Sequence, residues 1–317
     1  MKKLIALLLS LFFLLSTALP AGMAEEKSLK IVTTIFPIYD WVRQIIGEQD
    51  ADVTMLMDSG VDLHNFQPTA QDILTIAQCD LFIFVGGESD EWTEDVLNTV
   101  QNESMTVINL LDALGDDVKE EEIVEGMEAE EEEGEEEEAE SDEHVWLSLR
   151  NAEKLVKVIA ETLAEIDAEK AEPYRVNAES YIEKLQALDA QYAETVDAAA
   201  YKTILFGDRF PFRYLADDYG LTYYAAFAGC SAETEASFQT ILFLAQKLDE
   251  LGLPAVLTIE NPKTRIAETV VNATQNKNQK ILSLNSMQGV TAQEVKDGAA
   301  YLSLMESNLI VLRDALN

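Results

Sequence analysis

Apolar positions along the chain form two series of short β-type runs alternating with helical stripes, set apart by two long helical stretches. In the first series, residues 30–34 read as a strand, and a helical pattern follows Pro37 over 38–46. Residues 51–57 read as a second strand. A short helix over 71–77 feeds the apolar strand 81–85, which ends at Gly86-Gly87, and 104–110 reads as a fourth strand. Strands spaced by helices in this way predict a parallel α/β sheet. Helical spacing then covers 151–167 and 173–197, the latter opening with Pro173 in its first turn and placing Tyr181, Leu185 and Leu188 on one face. The second series has strands at 202–206, 222–227, 255–259 and 281–284. Its helices fall at 211–219 (closed by Gly220), 240–251, 264–274 and 299–316. The predicted fold is α/β, with two parallel-sheet lobes (25–150 and 199–317) joined through a helical segment, 151–198, that contains the long bridging helix. Ligands in such folds bind beyond the C-terminal ends of strands and between domains.

Composition changes this picture at two places. Lys2 and Lys3 precede an almost unbroken apolar stretch over 4–19, and Gly22 and Ala24 flank Met23. This is the pattern of an export signal cleaved after Ala24, so residues 1–24 are expected to leave the mature chain in an extracytoplasmic compartment, periplasm or cell surface. No cysteine lies near that point to carry a lipid. The formal net charge is −37, and roughly half of it comes from the run 116–143. Such a block repels itself and is expected to be solvated or disordered. The charge argues against nucleic acid, which requires clustered Lys and Arg, and makes cations the natural partner. Cys79 and Cys230 are the only cysteines. They read as two small buried side chains, with a disulfide as the alternative that export permits.

The chain has only two histidines, and both sit at element junctions. His64 lies in Gly60-Val61-Asp62-Leu63-His64-Asn65-Phe66-Gln67-Pro68, just past the second strand. His144 lies in Glu143-His144-Val145-Trp146-Leu147, where the acidic run ends. The first motif resembles the His-containing loop of the zinc/manganese family of ABC-transporter solute-binding proteins, and the second resembles that family's next metal-ligand motif. Residues 31–37, Tyr219-Gly220-Leu221 and residues 301–309 extend the resemblance over nearly the whole mature chain. The resemblance implies a metal site in the cleft between two lobes on a rigid helix, with zinc as the cargo and manganese as the alternative. It also places the acidic run where zinc-type members carry a loop rich in His and acids.

The second lobe departs from the family pattern. Counting back from Tyr219-Gly220 puts Arg209 at the third ligand position, and a guanidinium cannot bind a cation. Its neighbour Asp208 is then either a ligand or part of a turn held by local hydrogen bonds. Asn285 stands at the fourth position, with Glu260 as a reserve carboxylate. The expected ligand set is therefore His64 and His144, completed from Asp208, Asn285 and Glu260. Two imidazoles with oxygen donors suit Zn²⁺. The expected partners are the divalent ion and a membrane permease, with the protein itself monomeric. A metallohydrolase is disfavoured because no His-Glu-x-x-His pair or nucleophile–base motif is present. An adhesin-like surface protein with a structural metal is the remaining alternative.

Overall fold

The computed structural model describes residues 28–128, 140–231, 235–260 and 265–317. The proposed signal segment and the centre of the acidic run lie outside these ranges. The first lobe is built from β1 (Leu29–Thr33), α1 (Phe36–Ile46), β2 (Ala51–Met55), α2 (Ala70–Ala77), β3 (Leu81–Phe84), α3 (Trp92–Thr99), β4 (Thr106–Asn109) and α4 (Leu110–Leu114). Its four strands are parallel in the order β2-β1-β3-β4. The predicted fourth strand stops short at Asn109, whose side chain accepts the Asp112 N–H and so caps α4. Strands β1 and β3 are almost fully buried, as expected where helices cover both faces of a parallel sheet.

Two helices, α5 (Leu149–Ile166) and α6 (Ala171–Ala198), separate the lobes. At about 1.5 Å per residue, α6 is about 42 Å long. Its buried row includes Tyr181, Leu185, Leu188 and Tyr192 at helical spacing. Near its start, Asn177 Nδ2 donates to Ile45 O of α1 at 3.0 Å. Towards its end, Tyr192 OH donates to Met305 O at 2.6 Å. One helix thus grips both lobes, which limits how far they can hinge.

The second lobe contains β5 (Thr203–Leu205), α7 (Arg213–Tyr219), β6 (Thr222–Tyr224), α8 (Phe238–Leu251), β7 (Ala255–Ile259), α9 (Arg265–Ala273), β8 (Lys280–Leu284), α10 (Ala292–Lys296) and α11 (Tyr301–Ala315). Parallel pairs β5–β6 and β7–β8 are linked by a parallel bridge from Phe206 to Leu257. The strand order β6-β5-β7-β8 therefore repeats that of the first lobe. Gly220, at φ +66°, closes α7 in the left-handed conformation. Among the described residues, no helix is long and apolar enough to cross a membrane.

The acidic run corrects one expectation. Its described flanks are not free in solvent but docked. Glu121 N donates to Glu140 O, and Asp142 N to Lys119 O, joining the two flanks to each other. Glu128 N reaches Ala226 O on the second lobe at 3.0 Å. Glu122 Oε2 accepts from Arg213 Nη1 at 2.7 Å and from Tyr223 OH at 2.9 Å. Here the carboxylates find donors on the opposite lobe, and charge-assisted bonds offset the repulsion along the run.

Candidate metal centre

Both histidines are set by an aspartate two residues earlier. Asp62 Oδ1 accepts the His64 N–H at 3.1 Å and caps the turn Leu63–Asn65 beyond β2. Asp142 Oδ1 accepts the His144 N–H at 2.9 Å and also meets His144 Nδ1 at 2.9 Å. A carboxylate only accepts, so Nδ1 of His144 carries the proton and Nε2 keeps its lone pair. On His64, Nδ1 lies 2.6 Å from Ser89 Oγ. The two Nε2 atoms then face each other across 3.2 Å. A tetrahedral zinc at about 2.0–2.1 Å from each nitrogen would separate them by roughly 3.3 Å. Burial and the neighbouring His144 push His64 down to about 3, so this imidazole stays neutral across the physiological range.

Glu143 packs behind the pair. Its Oε1 accepts the Ser89 N–H at 2.7 Å, and its Oε2 lies 3.6 Å from His64 Nδ1. Burial lifts this carboxyl to about 7, while the bonds from Ser89 oppose the rise. Gly87, at φ +80°, makes room for it, since a Cβ there would lie 2.4 Å from Glu143 Oε1.

The second lobe brings different groups from those expected. Asp208 folds into its own turn, where Oδ1 accepts the Arg209 N–H at 2.9 Å and Oδ2 accepts the Ile259 N–H at 3.3 Å. Burial raises its pKa, and these two bonds pull it back. Asn285 is likewise spent on backbone, with Oδ1 accepting the Met287 N–H at 2.8 Å. Glu260 accepts from Ser286 N at 2.5 Å and from Ser286 Oγ at 2.6 Å. Together Asn285 and Glu260 shape the turn after β8. Among the described residues, neither Asp208 nor Glu260 joins the His64–His144 pair in a cluster able to hold a metal, and Asn285 turns its Oδ1 to the backbone. The local-turn alternative for Asp208 is the one the structure adopts.

That turn delivers Gln288, which the sequence reading missed. Its Nε2 lies 2.8 Å from His144 Nε2 and 3.2 Å from His64 Nε2, so the side-chain amide faces both imidazoles. Gln288 Oε1 accepts from Arg209 Nη2 at 3.2 Å, and the same guanidinium pairs with Asp62 of the first lobe. Cys230 is the second omission. Its Sγ lies within 4.8 Å of a ring nitrogen of each histidine. Both cysteines are free. The aspartates at Asp62 and Asp142 were a legible signal, since both histidines stand in Asp-x-His. Gln288 and Cys230 carried no local motif.

The family model for the periplasmic component A of the zinc-uptake complex matches residues 31–315. The zinc-binding protein AdcA of Streptococcus pyogenes is 31% identical over 99% of this chain and 61% of its own length. The chain thus spans about three-fifths of that relative. The high-affinity zinc uptake system protein ZnuA of Bacillus subtilis is 32% identical over 93% of this chain and 90% of its own. The Zn(II)-bound ZnuA-like domain of Streptococcus pneumoniae AdcA superposes with a TM-score of 0.71 at 30% identity, covering 91% of this chain and 99% of that domain. The repeated α/β lobes, the bridging helix and the paired imidazoles therefore belong to a chain of the zinc-uptake component A family of solute-binding proteins.

Proposed function

We propose that this protein captures a divalent metal ion, zinc in preference to manganese, outside the cytoplasm and passes it to the permease of an ABC uptake system. The observation that carries this reading is the Nε2–Nε2 separation of 3.2 Å, with each Nδ1 held by an oxygen partner. That is the spacing of two ligands on one tetrahedral zinc ion. Oxygen partners on the far ring nitrogens fix ring orientation and raise ligand basicity. Family membership and the zinc-binding relatives support the cargo and its delivery. Capture and handover, rather than catalysis, is the role that follows, because the Nε2 atoms of both imidazoles face one shared position between the lobes. The carboxylates of the acidic run would raise the local cation concentration.

Calorimetric titration of the mature, metal-free protein with zinc and with manganese tests the reading, beside a His64→Ala/His144→Ala variant. The parent is expected to show one tight zinc site and weaker manganese binding. The double variant is expected to lose at least about a hundredfold in zinc affinity, or about 2.7 kcal/mol. Equal zinc affinity in parent and variant overturns the assignment of the site.

A further inference from the structure

We propose that Cys230 is the third zinc ligand, so that this chain binds its cargo through two imidazoles and one thiolate; the inference rests on the His64–His144 site proposed above. The second lobe places a guanidinium, Arg209, where a third ligand was expected, and its nearby carboxylates are already bonded. Asp208 accepts two backbone N–H groups, and Glu260 accepts the N–H and Oγ of Ser286. Among the described residues, the His/Cys/Asp/Glu cluster able to hold an ion is His64, His144 and Cys230.

The approach of Cys230 is built into the backbone before it. A Cβ on Gly229 would lie 3.0 Å from His144 Cε1, so the chain at this residue packs directly on the imidazole face. Glu121, from the docked flank of the acidic run, accepts the Cys230 N–H at 3.0 Å and holds this loop against the site. A tetrahedral ion with Zn–N of about 2.0–2.1 Å and Zn–S of about 2.3 Å sets nitrogen and sulfur roughly 3.6 Å apart. Cys230 Sγ and one ring nitrogen of each histidine lie within 4.8 Å of one another, so reaching that spacing takes a movement of about an ångström, small for a loop residue. Cys79 cannot substitute, because it is buried in the first lobe against Met105 Sδ at 3.5 Å.

A thiolate changes which ions are taken. Sulfur ligands favour Zn²⁺, Cd²⁺ and Cu⁺, whereas Mn²⁺ is best served by carboxylate and water. Replacing a third oxygen or imidazole donor with sulfur therefore sharpens selection against manganese. On binding, the Cys230 S–H proton leaves to solvent as the metal–sulfur bond forms, with no change of oxidation state.

Cobalt(II) titration of the reduced mature protein reads the ligand directly. The parent and Cys79→Ser are expected to show a thiolate-to-cobalt charge-transfer band in the near ultraviolet. Cys230→Ser is expected to lose that band, bind zinc at least about tenfold more weakly and discriminate less against manganese. Alkylation of the unmutated protein gives a second measurement that no folding defect can confound. One equivalent of zinc should protect Cys230 in the parent but not in the His64→Ala/His144→Ala variant. A parent that binds cobalt or zinc tightly without the band and without protection of Cys230 overturns the thiolate ligand while leaving the histidine site standing. Unchanged binding in the double histidine variant overturns both.

Discussion

The two lobes share a strand order but not a role at the cleft. The first, ordered β2-β1-β3-β4, offers two imidazoles whose outer nitrogens and backbone N–H groups are bound before any ion arrives. The second, ordered β6-β5-β7-β8, faces them with an amide, a thiol and a guanidinium, while its carboxylates serve its own turns. Identical topology brings the C-terminal ends of both sheets to the same place. What each end presents depends on short loops. In the proposed metal reading the first lobe is a preorganised half-site, and the second lobe supplies whatever completes it.

On that contrast, the partners of the histidines matter more to binding than the second-lobe acids. Asp142→Ala removes the acceptor for both His144 N–H groups inside a site where His144 is fully buried. It is expected to weaken zinc binding by about 10–100-fold, the usual effect of losing the outer partner of a ligating histidine. Ser89→Ala, which takes a neutral hydroxyl from His64, should cost less. Competitive titration against a zinc-binding dye ranks the two variants. A larger loss from Ser89→Ala would mean that His64, not His144, is the fixed ligand.

The same contrast marks what could be read from sequence. Both histidines were legible because they are the only two in the chain and each sits at an element junction, and the structure brings their rings together. The alternation of strands and helices gave both lobes, and the apolar row of Tyr181, Leu185 and Leu188 gave the bridging helix. The second-lobe groups that face the histidines were not legible, because counting from a motif fixes position along the chain but not direction in space. Asn285 lies three residues before Gln288, yet a turn with Met287 at φ +62° points the latter at the histidines and the former at backbone. Similarly, net charge predicted repulsion along the acidic run, but could not anticipate that Arg213, Tyr223 and the Cys230 N–H would receive its flank.

Asp208 separates stability from binding. Its carboxylate holds the Arg209 and Ile259 N–H groups, and removing it leaves two partly buried donors without that acceptor. Asp208→Ala is expected to destabilise the apo protein by about 1–3 kcal/mol in urea unfolding. Zinc affinity should change by less than about threefold, well below 1.4 kcal/mol. A tenfold loss of affinity without loss of stability would return Asp208 to the ligand set and make the lobes more alike than their hydrogen bonds indicate.

The smallest effect, and the one that discriminates most finely, belongs to Gln288. Its amide Nε2 sits 2.8 and 3.2 Å from the two imidazole Nε2 atoms, where it would compete with a cation bound to both. The bonds from Arg209 and Ser286 to Oε1 oppose turning the amide to offer oxygen instead. Gln288→Ala removes the competing donor and is expected to tighten zinc binding about two- to fivefold, under 1 kcal/mol, mostly through faster capture seen in stopped-flow mixing. If affinity falls instead, the amide does turn and its oxygen is the fourth ligand. The second lobe would then close on the ion with a group that, before capture, keeps the half-site of the first lobe satisfied.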